Sequence, residues 1–180
     1  MSSDRLFLDS ALNNFRSLKT SAEKAIVQLD DAQLRTALDA NTNSVAVIMK
    51  HMAGNMLSRW TDFLTTDGEK PDRNRDAEFI DDFASRSDLM EYWERGWACA
   101  FNSLAALREE DLLKTITIRG EPHSVIDAIH RQLAHQAYHT GQIIQLARYL
   151  AKEHWTTLTI PRGGSKQFNQ QMGYGKTPPA

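Results

Sequence analysis

The chain has 180 residues, 41% of them hydrophobic and 24% charged, which is the balance of a globular domain long enough to bury a core of its own. Lys and Arg number 21 against 23 Asp and Glu, and a formal net charge of −2 gives no electrostatic basis for binding nucleic acid or an anionic membrane. Cys99 is the one cysteine, which excludes an intramolecular disulfide and a cysteine-rich zinc module.

The N-terminus, Met1-Ser-Ser-Asp-Arg5, runs into an amphipathic segment and not into a leader-type apolar stretch, and nowhere do enough apolar residues run together to span a membrane. A reducing cytoplasm is the expected location. Leu8, Leu12, Phe15, Ala22, Ile26 and Leu29 recur at three- and four-residue steps and predict a first helix over about 4–30. A helical turn at Asp31–Leu38 follows, and Asn41–Ser44 supplies cap-type residues. Val45, Ile48, Met49, Met52, Met56, Trp60 and Phe63 form the stripe of a second helix, about 43–64. Thr65–Arg86 is polar, acidic on balance and broken by Gly68 and Pro71, so most of it reads as a solvated connection. Its length in a compact domain calls for a reason, a crossover or a lid.

Ser85 or Ser87 can cap a third helix, about 87–108, with the stripe Met90, Trp93, Trp97, Phe101, Leu104 and Leu107. Thr115–Ile118 alternates with period two before Gly120 and Pro122, which predicts a short strand. Ser124 with Asp127 is a capping-box signal, and Val125, Ile129, Leu133, Ala137 and Ile144 carry a fourth helix over about 124–152. Beyond it come Trp155, Pro161-Arg-Gly-Gly164 and Pro178-Pro179, an irregular tail whose last eight residues are expected to be loose. The fold class is therefore all-α, a four-helix bundle over 1–155 with a tail, 156–180, partly packed on it.

Chemistry concentrates on histidine. His135 and His139 are four apart, so both rings leave one helix face a turn from each other and can converge on one ion. His51 stands at the margin of the second helix's stripe, followed by the small pair Ala53-Gly54, where a neighbouring element can approach closely. In an up-down-up-down bundle the second and fourth helices are parallel, and the helical rise then brings the three rings to similar depth. The alternative is three histidines hydrogen-bonded at the bundle margin. Gln142 shares a face with His139 and can hold its ring or pack at the helix end; Asn55, one turn after His51, can do the same. Tyr138 faces away as a packing residue, Cys99 reads as a small buried hydrophobe, and His123 and His130 do not fit the ligand face. The absence of His-Glu-x-x-His argues against a zinc peptidase of that type. Arg162-Gly-Gly-Ser-Lys166 is not a P-loop and reads as a flexible turn, and Trp60, Trp93 and Trp97 read as core.

His135-Gln-Ala-Tyr-His139-Thr-Gly-Gln142, together with His51 in His-Met-Ala-Gly-Asn55, resembles the signature of the DinB/YfiT-like superfamily of four-helix metalloenzymes over about residues 4–152. The acidic loop and the Pro-Arg-Gly-Gly-Ser tail look like an uncharacterised branch of it. The resemblance implies that His51, His135 and His139 are metal ligands, for nickel or zinc, with water in open positions. It also implies thiol-dependent S-transfer or isomerisation as the kind of activity, a small substrate or low-molecular-weight thiol as partner, and a homodimer. Three imidazoles leave a divalent ion open positions for metal-assisted thiol transfer or hydrolysis. The other reading is a non-catalytic, metal-binding or stress-related homodimeric bundle.

Overall fold

A computed structural model describes residues 2–173, so the expectation of a loose C-terminus, Pro178-Pro179 included, lies outside the described residues except at Gly173. Four long helices form the body: α1 (Ser3–Ile26), α3 (Val45–Trp60), α4 (Arg86–Ala105) and α5 (Val125–Ala151). The short helix α2 (Asp31–Arg35) follows α1, and α6 (Ser165–Gln171) lies in the tail with no buried residue. Strands β1 (Thr115–Ile118) and β2 (Glu121–Ser124) pair antiparallel ahead of α5. The expected strand thus has a partner, joined by the two-residue turn Arg119-Gly120, both at positive φ (58° and 76°). No described helix is long and apolar enough to cross a membrane.

Each body helix starts on a serine. Ser2, Ser44, Ser85 and Ser124 accept a hydrogen bond from the backbone N–H three residues on, in Arg5, Val47, Asp88 and Asp127. The helix ends fall short of the apolar stripes. α1 stops at Ile26 because the chain turns to let Asp30 and Gln33 form the capping box of α2, and Leu29 is buried from that turn. α3 stops at Trp60 because Asp62 is left-handed (φ 47°), while Phe63 is still buried from the loop. Trp60, Trp93, Trp97 and Phe15 are fully buried, as core tryptophans were expected to be.

The helix directions differ from an up-down-up-down bundle. Along α3 and α4 the contacts rise together: Ala53 with Gly96, Met56 with Cys99, and Trp60, whose carbonyl accepts from Ser103 Oγ at 2.8 Å. These helices are parallel. Along α3 and α5 the contacts run oppositely, His51 with His135 and Asn55 with Gln132, so these are antiparallel. α1 opposes α4, with Glu23 accepting from Trp93 Nε1 (3.1 Å) and the Ile26 carbonyl accepting from Arg86 (3.0 Å). The bundle is up-down-down-up, and the parallel arrangement of the second and fourth long helices is corrected.

Parallel neighbours need a long crossover, and residues 61–85 supply it by running back along α3. The Gly68 carbonyl accepts from Ser58 Oγ, Glu78 meets His51, and Ile80 O and Asp82 take Lys50 Nζ at 2.9 and 2.6 Å. Arg35 of α2 grips the far end through Asp81 (2.7 Å) and the Phe83 carbonyl (3.0 Å). Asp67 ties the near end to the β-turn, accepting from the backbone N–H groups of Arg119 and Gly120, both at 2.8 Å. Hydrogen bonds from the Glu69, Gly120 and Arg119 backbone pull its carboxyl down to about 2. Most of the segment is exposed, as a solvated connection is expected to be, but it packs on α3 and buries Gly68 and Glu78.

A Cβ on Gly96 would stand 2.6 Å from the Ala53 Cα, which is backbone and cannot yield, whereas one on Gly141 meets nothing within 4 Å. Gly96→Ala is expected to lower unfolding free energy by about 1–3 kcal/mol. Gly141→Ala should raise it by about 0.5–1 kcal/mol. Urea denaturation of both variants checks the close α3–α4 approach; equal shifts would contradict it.

Candidate metal centre

The antiparallel packing of α3 on α5 sets His51 opposite the pair His135/His139. Nitrogen atoms of the three rings lie within 4.8 Å of one another, so the group could hold a metal ion. His51 Nε2 is 3.2 Å from His135 Nε2. Two nitrogens bound at about 2.0–2.1 Å to one ion stand about 2.8–3.0 Å apart at octahedral cis positions and about 3.3–3.4 Å apart at tetrahedral ones, so this spacing fits a shared ion. His51 is buried, not marginal as its sequence position suggested, while His135 and His139 are half-buried.

The outer nitrogens decide which ring atoms face inward. His51 Nδ1–H donates to Glu78 Oε2 at 2.9 Å, leaving Nε2 with its lone pair directed at the cluster. His139 Nδ1–H donates to Gln142 Oε1 at 2.7 Å, with the same effect on its Nε2. Gln142 in turn reaches Tyr138 Oη at 3.3 Å. His135 Nδ1 is buried without a hydrogen-bond partner.

Glu78 arrives from the crossover in the 3₁₀ turn Asp76–Phe79. Its two oxygens accept from Arg73 Nε (2.7 Å) and Nη2 (2.8 Å), and Arg73 Nη1 reaches Glu69 at 3.0 Å. Glycine makes room for this approach: a Cβ on Gly54 would lie 2.7 Å from Glu78 Oε1. Phe79, the next residue, stacks on the His51 ring with centroids 5.0 Å apart. Thus Gly54 receives the crossover and Ala53 receives α4 at Gly96, two elements where the sequence suggested one.

Burial and then the neighbouring His139 and His51 push His135 down to about 3, and burial lowers His139 as well. Burial pushes the Glu78 carboxyl up, but hydrogen bonds from His51 and Arg73 outweigh it and hold the pKa below the ordinary value. His135 and His139 are therefore neutral imidazoles, the form that binds a metal, and the carboxylate beside the group is ionised and fully engaged.

The other sequence candidates separate cleanly. Gln142 holds a histidine ring, as one reading of it proposed. Asn55 does not touch the rings and instead accepts from Gln132 Nε2 at 3.1 Å. Tyr138 is exposed and meets His139 edge-on, so it belongs to the rim of the site and not to packing. Cys99 is half-buried near Met56 O and Thr61, outside the histidine group. His130 lies exposed against Phe7, and His123 pairs with Asp127 at 2.5 Å. Arg162 and Gly163 make an exposed turn, with Gly163 at φ 83°, and Gly164 leads into α6, which starts at Ser165. Glu78 and Arg73 are the residues whose role the sequence did not reveal. The one signal for them was the unexplained length of the connection.

Fold and site together define an all-α bundle with a partly buried tri-histidine cluster able to hold a metal ion. The chain belongs to the family described as Protein of unknown function (DUF1572), whose model matches residues 2–164. No curated protein and no solved structure matches it.

Because His135 and His139 titrate lower in the folded protein than at the ordinary 6.5, the unfolded chain binds more protons once pH falls below that value. Stability of the metal-free protein is full above about pH 6.5 and is lost as pH falls toward about 3. Glu78, also lowered, adds loss in the same direction below its ordinary value of 4.5. The urea midpoint of chelator-treated protein should fall between pH 7 and 5, and His135→Gln should make that fall shallower. Parallel slopes for the two proteins would contradict it.

Proposed function

We propose that this protein is a metal-dependent enzyme of the DinB/YfiT-like type, with His51, His135 and His139 binding one divalent transition ion, nickel or zinc. The observation that carries the reading is the orientation of the rings. Glu78 and Gln142 fix the Nδ1–H tautomer of two of them, and the inward nitrogens of His51 and His135 have the spacing of a shared ion. A structural cluster of histidines has no need of such an arrangement.

The residues present fit an open site. Neither Cys99 nor a carboxylate belongs to the histidine group, so the described residues provide three ligands and no fourth. A bound ion supplies Lewis acidity at its remaining positions, toward a water or a low-molecular-weight thiol. Thiol transfer and hydrolysis are the two reactions this suits, and the thiol would be exogenous because Cys99 is elsewhere. Glu78 spends both oxygens on His51 and Arg73, so its part is to orient and electrostatically support His51, not to take a proton from substrate. Half-buried His135 and His139, with Tyr138 at the rim, leave the site reachable from solvent.

Elemental analysis after loading with nickel or zinc should find about one ion per chain. His51→Ala, His135→Ala and His139→Ala should each weaken binding at least tenfold, while His130→Ala leaves it unchanged. Gly54→Ala, which touches no ligand but displaces Glu78, should weaken it about 10–100-fold. Absence of stoichiometric metal in the wild type, or equal losses at His130, would defeat the reading.

A further inference from the structure

The polar face of α3 does not end at the histidine. His51, Asn55 and Arg59 stand at successive four-residue steps and so share one face, and across from them α5 presents His135 and Arg131, also four apart. Between them, closed on one side by Ile118 of β1, is a cavity of about 280 Å³ lined by Asn55, Arg59, Arg131, Gln132 and His135 among others.

Arg59 is only 9% exposed, and its Nη1 has no hydrogen-bond partner. A buried guanidinium with an unmatched N–H is costly, and its fork geometry is suited to an oxyanion. Burial pulls it down to about 10, and the charges of Arg131, Arg73 and Arg119 press the same way. The acid whose charge favours it, Glu69, is already engaged by Arg73 at 3.0 Å and Arg119 at 3.3 Å. Arg131 borders the same space from the exposed side, so two like charges share one cavity. His135 Nδ1 is a second buried polar atom there without a partner. Gln132 donates to Asn55 Oδ1, which leaves the Asn55 amide N–H groups as further donors. The seat of Arg59 is shaped for it, since a Cβ on Gly68 would come within 3.0 Å of Nη1.

We propose that this cavity is an oxyanion subsite, in which Arg59 and Arg131 bind the carboxylate or phosphate group of a small substrate. The subsite itself needs no metal; only the role of its occupant's other end, directed along the α3–α5 groove toward the histidines, rests on the metalloenzyme reading. His51 and Arg59 are two helical turns apart, about 12 Å along the axis, much of which the arginine side chain spans. The substrate class is thus a short molecule with one oxyanion end and a reactive centre a few atoms away.

The test titrates chelator-treated and metal-loaded full-length protein with inorganic phosphate and, separately, with benzoate, at millimolar concentrations by calorimetry. The metal-free wild type should bind at least one of them saturably. Arg131→Gln, at an exposed position that leaves the fold intact, should weaken that binding at least tenfold, as should Arg59→Gln. Arg59→Lys, which keeps the charge but loses the fork, should fall between. Preference for phosphate assigns a phosphate-bearing substrate, and preference for benzoate a carboxylic acid. No saturable binding to metal-free wild type, or binding that Arg131→Gln leaves unchanged, overturns the subsite. Binding only to metal-loaded protein, insensitive to Arg131→Gln, also overturns it while sparing the metal reading. Arginine-dependent binding in a protein that takes up no metal supports the subsite and removes the metalloenzyme reading instead.

Discussion

Two helices adjacent in sequence and parallel in space cannot be joined by a short turn. The chain leaving α3 at Trp60 has to return the full length of a 16-residue helix, about 24 Å, before α4 can begin. It does so in contact with α3, whose other sides are already covered by α4 and α5. Lys50, His51, Asn55, Ser58 and Arg59, which an ordinary bundle would leave in water, are buried as a result. Burying polar groups is affordable only with partners. The crossover brings them in order: Gly68 O for Ser58, Glu78 for His51, and Ile80 O with Asp82 for Lys50. It leaves Arg59 Nη1 without a partner, and His51 Nε2 facing only another imidazole nitrogen, His135 Nε2 at 3.2 Å. Those are the groups left over for something that is not protein.

The Arg73–Glu78–His51 chain illustrates why such a network is retained. Arg73 and Glu78 side chains are 5% and 6% exposed, so their mutual attraction is offset by a large desolvation cost, and a well-packed apolar pair could serve stability as well. An apolar pair could not fix a histidine tautomer. With both Glu78 oxygens held by Arg73, the carboxylate has one orientation to offer His51 Nδ1–H, and His51 Nε2 must face the cluster. Gly54 makes the geometry sterically feasible, and Phe79 stacks over the ring and blocks its rotation. Stability and site geometry are thus held by the same few contacts between one turn of α3 and one 3₁₀ turn.

Much of this was legible in the sequence where a periodic signal existed. The apolar stripes locate all four body helices, cap-type residues mark where the last three start, and the i, i+4 histidines with His51 pick out the cluster. Helix ends were less legible because Leu29 and Phe63 continue the stripe while being buried from turns. Direction was illegible, since an amphipathic stripe has the same periodicity whichever way its helix runs; the three rings meet through antiparallel, not parallel, packing. Glu78 sits in a stretch of eight acids over residues 65–88, and nothing local separates it from its neighbours. Its burial is a consequence of the crossover path. Arg59 was hidden for a related reason: on sequence it is a polar residue near a helix end, and only tertiary packing strips it of water.

That distinction bears on how charge is to be read. A net charge of −2 over the whole chain argues against polyanion binding. Substrate-scale recognition depends on a field of a few ångströms, where the sum over the chain has little weight. Along the α3–α5 groove the local balance is opposite in sign. Glu78 and Glu69 are neutralised by Arg73 and Arg119, His135 and His139 are uncharged, and Arg59 and Arg131 remain. The low-dielectric walls that depress the histidines also strengthen the pull of those two guanidiniums on an anion. Any divalent ion on the histidines would add to that pull without altering its sign. The groove therefore selects anions at one end for the same physical reason that it keeps imidazoles neutral at the other: both follow from a polar helix face covered by its own crossover.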